Sequence, residues 1–177
     1  MSLVRIVAFA WLAVACGGED KPGEVKTIYR DLPVDLEDTE WTPPIEGDPG
    51  LTVGVTEDQL FRELADGDDA PIIEGFQGGY WVHVAVRAVG VGRSGSIEGR
   101  LTIKGEDDPV GSLRADLKLV LTREGFSERP QVPISLTEDW QKRFSDLFGK
   151  SGAIRVIYID LDGRKAEHEV QVVFVQN

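Results

Sequence analysis

Few residues of this sequence have the type and spacing that catalysis or metal binding requires. The two histidines, His83 and His168, lie far apart along the chain, and neither has a second ligand at the short spacing of a zinc site. The Gly-x-Ser-x-Gly nucleophile elbow of α/β-hydrolases does not occur. A triad brought together from distant residues remains open, because spacing in the sequence does not exclude one. We therefore expect no catalytic residues, no metal site, no cofactor and no enzyme activity.

Two kinds of motif match known ligand sites but also have simpler explanations. Residues 90–95 fit the Gly-x-Gly-x-x-Gly dinucleotide pattern, yet the next segment alternates as a strand where that pattern needs a helix. We expect a glycine-rich loop there. Three acidic clusters, at 66–69, 106–108 and 160–163, could bind calcium if their loops meet, although Asp and Gly are also the residues that turns prefer. Calcium binding therefore stays an alternative.

The strongest strand pattern, Tyr80 to Val89, supplies the candidate binding face. Its even-numbered residues are apolar or aromatic, and its odd-numbered residues include Trp81, His83 and Arg87. Because successive side chains of a strand point to opposite faces, we expect the even set to face the core and the odd set to face outward. Aromatic and cationic side chains of this kind are enriched at binding hot spots. Coverage of this face by another strand or loop is the alternative.

The only cysteine, Cys16, follows a segment with the features of a signal peptide. Arg5 supplies a basic start, and the apolar run 6–14 has the length of a signal-peptide core but is too short to cross a bilayer. We predict a signal peptide over residues 1–15 with cleavage between Ala15 and Cys16. An ordinary small-x-small cleavage site followed by an unmodified cysteine is the alternative.

The stretch Leu12-Ala13-Val14-Ala15-Cys16 resembles the lipobox of bacterial lipoproteins. The resemblance implies that the Cys16 sulfur is diacylated, that the chain is cut before Cys16, and that the new amino terminus is acylated. Several acyl chains would hold the protein on a membrane, since two already anchor stably. Gly17 is not the aspartate of an inner-membrane retention signal, so the resemblance implies a cell-envelope lipoprotein of the outer membrane, on either its periplasmic or its surface side.

Composition divides the rest of the chain into a tether and one domain. Residues 16–49 are acidic and rich in proline and glycine, which predicts a disordered tether. Residues 50–177 are enough for one hydrophobic core. The formal net charge of −12 argues against nucleic acid as a partner.

Eight alternating segments predict an all-β domain, either an antiparallel sandwich or a barrel, with one short helix. They run over 51–55, 70–74, 80–89, 97–104, 113–122, 131–136, 154–161 and 166–175, and a helix is predicted over 138–148. Pro130 and Pro133 predict an edge strand. We expect the following side chains to be buried: Val84, Val86, Leu117, Leu119, Trp140, Val156 and Val172.

This arrangement is similar to the single immunoglobulin-like domains of uncharacterised bacterial lipoproteins. The likeness rests on the strands, on the entry Gln77-Gly78-Gly79-Tyr80 and on the hairpin Asp160-Leu161-Asp162-Gly163-Arg164. It implies an antiparallel β-sandwich over residues 50–177. An anchor, a spacer and one compact domain predict a non-enzymatic binding or structural module of the envelope. A calcium-dependent adhesive domain and a hydrolase with dispersed catalytic residues are the alternatives.

Overall fold

The structure is a computed structural model that describes residue 45 and residues 47–75, 78–122 and 125–177. The predicted signal peptide, Cys16 and nearly all of the predicted tether lie outside these residues. Lipid attachment and the tether therefore stay predictions.

Ten strands and a short helical segment make up the described chain. The strands are β1 (Gly50–Glu57), β2 (Leu60–Glu63), β3 (Asp68–Glu74), β4 (Tyr80–Val89), β5 (Ser94–Ile103), β6 (Gly111–Lys118), β7 (Val120–Leu121), β8 (Ser127–Leu136), β9 (Ser151–Asp160) and β10 (Lys165–Gln176). The helix α1 spans Glu138–Lys142, and a 3₁₀ turn spans Phe144–Leu147. All eight predicted strands are present. The predicted strand over 113–122 is divided into β6 and β7, and β2 is not predicted.

The all-β fold is confirmed, but the predicted immunoglobulin-like sandwich is wrong. The predicted antiparallel pairing fails at one place, because β3 and β10 pair in parallel. The strands form one sheet in which the order β4-β3-β10-β9-β5-β6-β8 returns to β4 and closes a barrel of seven strands. β4 closes it because one of its edges pairs with β8, while the other edge is shared by β3 at Tyr80–Val82 and by β1 at Ala85–Val89. A sandwich needs two separate sheets, whereas closure joins all seven strands.

The barrel interior holds the hydrophobic core. Val84, Val86, Leu119, Val156 and Val172 are at most 1 % exposed and Trp140 is 5 % exposed, as predicted. The predicted burial of Leu117 is only partly met, because β6 pairs with β8 only at its first two residues, Gly111 and Ser112. Beyond that point β6 and β8 separate, so the apolar side of β6 is half-buried.

The prolines of β8 predict an edge strand, but β8 lies inside the sheet. It runs between β4 on one side and β6 and β7 on the other. A β-bulge accommodates Pro130, since the register moves from Val84 opposite Val132 to Val86 opposite Arg129. Bulges are among the few positions where a strand inside a sheet tolerates proline.

The predicted helix over 138–148 is shorter than expected. It is interrupted at Arg143, whose φ of −132° is not helical. Tertiary contacts hold the segment instead. Gln141 accepts the Tyr80 N–H at 2.6 Å and donates to the Tyr80 carbonyl at 3.1 Å, and the ring of Phe144 stacks on Tyr80 at 3.6 Å between centroids. Within the described ranges, the structure contains no helix of the length and apolarity needed to cross a bilayer.

Truncation of Leu119 tests the core. Leu119 is 0 % exposed, so we expect Leu119→Ala to lower the free energy of unfolding by about 2–5 kcal/mol through lost packing and a cavity. The matched control is Leu161→Ala, because Leu161 is 83 % exposed and should change stability little. Urea denaturation followed by circular dichroism measures both, and equal effects of the two changes would contradict this core assignment.

Candidate functional site

The outward face of β4 is covered over half of its length. Its inward residues Val82, Val84, Val86 and Ala88 are buried in the barrel, as the alternation predicts. On the outer face, however, Ala85 is 0 % exposed and Arg87 is 8 % exposed. The β1–β2 hairpin, through Phe61, and Phe126, which directly precedes β8, form an outer layer over this part of the barrel.

Arg87 is held in a buried ion pair beneath that outer layer. Its Nε donates to Oε1 of Glu128 at 2.5 Å, and the two side chains are 9 % and 1 % exposed. The guanidinium also lies 4.4 Å from the ring centroids of both Phe61 and Phe126, so two aromatic rings enclose it. Arg87 is therefore not a surface residue of the predicted binding face, because two aromatic side chains from distant segments cover it.

The bulge in β8 makes this pairing possible. Val132 and Ile134 point into the barrel, and strict alternation would turn Glu128 inward as well. The shift between Val84 and Val86 changes that parity and places Glu128 opposite Arg87. A one-residue change of register turns side chains to the other face of a sheet, and here it brings the carboxylate to the guanidinium.

Phe61 reaches Arg87 because the residue of β1 against which its ring packs is a glycine, Gly54. A Cβ on Gly54 would lie 2.7 Å from Cζ of Phe61, which is closer than real Cβ atoms approach. The absence of a side chain lets the hairpin lie close against β1. Asp58 and Gln59 form its two-residue turn with φ angles of 49° and 65°, the left-handed values that tight hairpins require.

Trp81, another residue of the predicted face, is half-buried against Gly75 and Gly79, which lie between β3 and β4. Its ring occupies the space that a side chain at Gly75 would need, and a Cβ on Gly79 would lie 3.0 Å from the same ring. The indole therefore packs on a glycine-containing turn. Its position in the structure indicates a packing role.

His83, the third residue, lines a surface cavity of about 640 Å³ that we call the hairpin cleft. The cleft lies where β1 and β3 separate, since neither strand pairs with β4 at His83 or Val84. Its lining residues are Val55, Thr56, Glu57 and Arg62 of the hairpin, Asp69, Pro71 and Ile73 of β3, His83 and Val84 of β4, and Pro130 and Gln131 of β8. Of the three predicted face residues, the structure brings only His83 to this cleft.

The hairpin wall of the cleft is attached at two points. The Thr56 hydroxyl donates to the Pro130 carbonyl at 2.7 Å, which joins the hairpin to β8 across the outer face of β4. Arg62 binds Glu57 at 2.9 Å and Asp68 at 2.7 Å, which joins the hairpin to β3. The cleft therefore has walls from three segments that are distant in sequence.

His83 is oriented by a hydrogen bond with Gln131. The amide Nε2 of Gln131 lies 2.9 Å from Nδ1 of His83, and since this amide nitrogen can only donate, Nδ1 accepts and the ring proton lies on Nε2. Burial lowers the pKa of His83 below its ordinary value of 6.5. The imidazole is therefore neutral at neutral pH.

The charges of the hairpin wall are largely satisfied within it. Partial burial lowers the pKa of Arg62, but its hydrogen bonds with Asp68 and Glu57 outweigh that effect and raise the pKa above the usual value. Two hydrogen bonds lower the pKa of the Asp68 carboxyl: the one from the Ala65 N–H has the larger effect, and the one from Arg62 the smaller. Asp69 is different, because in the described part of the chain it has no ion pair and no side-chain hydrogen bond. Its carboxylate is exposed on the β3 wall.

The other motifs have local structural roles. His168 accepts the backbone N–H of Val53 at 3.1 Å, which links β10 to β1. The glycine-rich loop is followed by β5, a strand, as expected, and the Gly92 N–H donates to Asp160 at 2.7 Å. Asp160 also accepts the N–H groups of Asp162 and Arg164 at 3.0 and 2.8 Å, and these backbone hydrogen bonds outweigh its desolvation and lower its pKa.

Metal binding gains no support from the three acidic clusters. Asp66 accepts the Gln171 N–H at 2.9 Å, Asp68 is bound to Arg62, and Asp160 is bound to three backbone N–H groups. Within the ranges that the structure describes, no three His, Cys, Asp or Glu side chains form a metal-binding group.

The sequence pattern misses most of the cleft. Asp69, Pro71 and Ile73 share the outward parity of β3, but nothing local shows that the hairpin lies across from them. The one usable signal is Pro130, because a proline in a strand indicates an edge or a bulge, and this bulge lies at the end of the cleft.

The ion pair beneath the hairpin is testable by a double-mutant cycle. Removing one partner leaves an uncompensated buried charge, so Arg87→Met and Glu128→Leu should each lower the free energy of unfolding by about 3–5 kcal/mol. The double change should cost less than the sum of the two, because both charges are removed together. Arg155→Met is the control, since its pair with Glu167 is about half exposed and worth less than about 1 kcal/mol. A cost of Arg87→Met no larger than that of the control would contradict the buried pair.

The protonation of His83 is testable by proton NMR. We expect the Cε1–H resonance of His83 to titrate below 6.5, because burial disfavours the imidazolium. The folded state then binds this proton less readily than the unfolded chain, so the His83 contribution lowers stability as pH falls through 6.5 towards the folded pKa. His83→Gln identifies the resonance and should reduce this acid sensitivity. Titration of His83 above 6.5 would contradict the assignment.

Comparison of the sequence with known proteins adds no family to these observations. No protein-family model matches the chain, and the curated proteins give no significant match. The chemistry of the hairpin cleft is therefore the basis for assigning a role.

Proposed function

We propose that the protein is a lipid-anchored lipoprotein of the bacterial cell envelope, with Cys16 as the lipid attachment site, and that its barrel is a non-enzymatic binding module. The hairpin cleft is its recognition site. The observation that carries this assignment is the cleft itself, which joins an apolar floor to a few converging polar groups around His83.

The dimensions and lining of the cleft support a binding role. Ligand sites usually have volumes of roughly 300–1,000 Å³ and combine apolar walls with a small number of polar groups. Here Val55, Pro71 and Ile73 provide apolar surface, and His83 and Asp69 provide a donor and an acceptor. These groups come from different strands of one sheet, which holds their spacing.

The hydrogen bonds of the cleft favour binding over hydrolysis. Thr56 is the hydroxyl-bearing residue of the lining, and its hydroxyl donates to the Pro130 carbonyl. His83 interacts with the Gln131 amide instead of a hydroxyl nucleophile. Acyl transfer by a triad requires the histidine to accept the proton of the nucleophile, so this arrangement supports recognition.

The predicted anchor and tether give the cleft a place to act. Acyl chains on Cys16 would keep the protein on the membrane, and a tether over residues 16–49 would let the barrel reach ligands near that membrane. A domain that presents one recognition cleft from a fixed membrane point needs no cofactor and no turnover.

A single set of cellular experiments tests both parts of this proposal. We expect the mature protein to fractionate with membranes and Cys16→Ala to release it into the soluble fraction. We further expect a photo-crosslinking amino acid at Gln131, in the cleft, to form a specific adduct in intact cells, whereas the same group at exposed Glu167 on β10 should not.

The two readouts fail independently. A soluble native protein with an unmodified Cys16 would contradict lipid attachment but would not affect the proposal that the cleft binds a ligand. Equal adduct patterns from Gln131 and Glu167 would contradict the cleft as the recognition site. Turnover of an ester or glycoside panel by the purified protein, abolished by His83→Gln, would overturn the non-enzymatic assignment.

A further inference from the structure

The hairpin cleft has an unbalanced negative charge. Its lining holds two carboxylates, those of Glu57 and Asp69, and one guanidinium, that of Arg62. Arg62 bonds to Glu57 of the hairpin at 2.9 Å and to Asp68 of β3, just outside the lining, at 2.7 Å. Together with Asp68 these groups have a net charge of −2, and Asp69 is the lining carboxylate that has no ion pair within the described residues.

The rest of the cleft adds no opposing charge. His83 is neutral at neutral pH because burial lowers its pKa, and Gln131 and Thr56 are uncharged. The whole chain has a formal net charge of −12, so the surrounding field also favours a positively charged partner and speeds its approach.

The apolar surface beside Asp69 limits what that partner can be. Pro71 and Ile73 follow Asp69 along the same side of β3, and Val55 lies across the cleft on β1. A strongly hydrated inorganic cation would gain nothing from these side chains. A lysine or arginine buries its aliphatic stem against apolar surface while its charged end stays in water, which fits this sequence of groups.

The backbone at the floor indicates that the partner is a polypeptide. β3 pairs with β4 only as far as Val82, and β1 pairs with β4 only from Ala85 onward. His83 and Val84 thus lie between two separating strands, in a gap that follows the strand direction. An extended peptide fits such a gap, because unpaired strand edges bind peptides through main-chain hydrogen bonds while pockets bind alternate side chains.

We infer that the hairpin cleft binds an extended peptide segment in which a lysine or arginine adjoins aliphatic residues, with Asp69 as the counter-ion of the basic side chain and the Nε2–H of His83 as a donor to the peptide. This inference rests on the proposed binding role of the cleft. It names the ligand class and the residue that selects it.

The test uses three defined probes and the full chain carrying Cys16→Ser. The probes are the acetylated and amidated tripeptide valine-lysine-valine, its counterpart valine-glutamate-valine, and n-butylamine. The amide resonances of Asp69 and His83 are followed by ¹H–¹⁵N NMR at neutral pH. We expect the lysine peptide to shift both resonances in a saturable way, with a Kd that increases with salt, and the glutamate peptide to shift neither.

Matched variants separate the counter-ion from overall charge. Asp69→Asn should raise the Kd of the lysine peptide about three- to five-fold, as expected for loss of an exposed ion pair. Asp162→Asn removes the same charge at an exposed turn outside the cleft and should leave the Kd unchanged. Equal effects of the two variants would overturn the role of Asp69.

The remaining outcomes distinguish this inference from the proposed function. Equal binding of n-butylamine and the lysine peptide would overturn the peptide as ligand, and a preference for the glutamate peptide would overturn the charge preference. If no probe shifts the amide resonances of Asp69 and His83 while the Gln131 crosslink still forms, this ligand class is wrong and the binding role stands. If the crosslink also fails, the proposed function fails with it.

Discussion

The structure around the cleft depends on the buried pair of Arg87 and Glu128. The pair lies on the outer face of the barrel, where side chains would ordinarily meet water, and Phe61 and Phe126 enclose its guanidinium from two separate segments. Burying two charges is costly, and the short Arg87–Glu128 hydrogen bond together with the two aromatic rings offsets part of that cost. The same contacts hold the β1–β2 hairpin against β4. The pair therefore acts together with the Thr56–Pro130 hydrogen bond and the Arg62–Asp68 ion pair to position the hairpin and one wall of the cleft.

The barrel and the outer layer have different roles. The barrel closes because β4 pairs along both edges, and its interior contains the large apolar side chains that provide most of the stability. The cleft forms where closure is incomplete, at the point where β1 and β3 share one edge of β4 and separate. The sheet thus supplies the spacing of the groups on β3 and β4 that line the cleft, and a short hairpin and a bulge supply the rest of the lining.

The polar groups of the cleft are arranged so that one charge remains available. Arg62 is bound by two carboxylates, His83 is oriented by Gln131, and Asp69 is an exposed residue of the lining. Such a division suits recognition better than catalysis, since the proton-carrying group is fixed by an amide and the hydroxyl of Thr56 is committed to a carbonyl. In the proposed setting, the anchor on Cys16 supplies the location and the cleft supplies the selectivity.

The sequence by itself determined the features that depend on neighbouring residues. Alternation of apolar side chains identified all eight longer strands and the inward set of β4, because the period of a strand is a local property. It could not show that the sheet closes, since closure depends on which distant edges pair. It placed Trp81, His83 and Arg87 on one face correctly, yet only tertiary structure decided that Arg87 is covered, that Trp81 packs on a turn, and that His83 alone meets Asp69 across a cleft. Those outcomes rest on a bulge at Pro130 and on contacts between residues far apart in the chain, which no local pattern encodes.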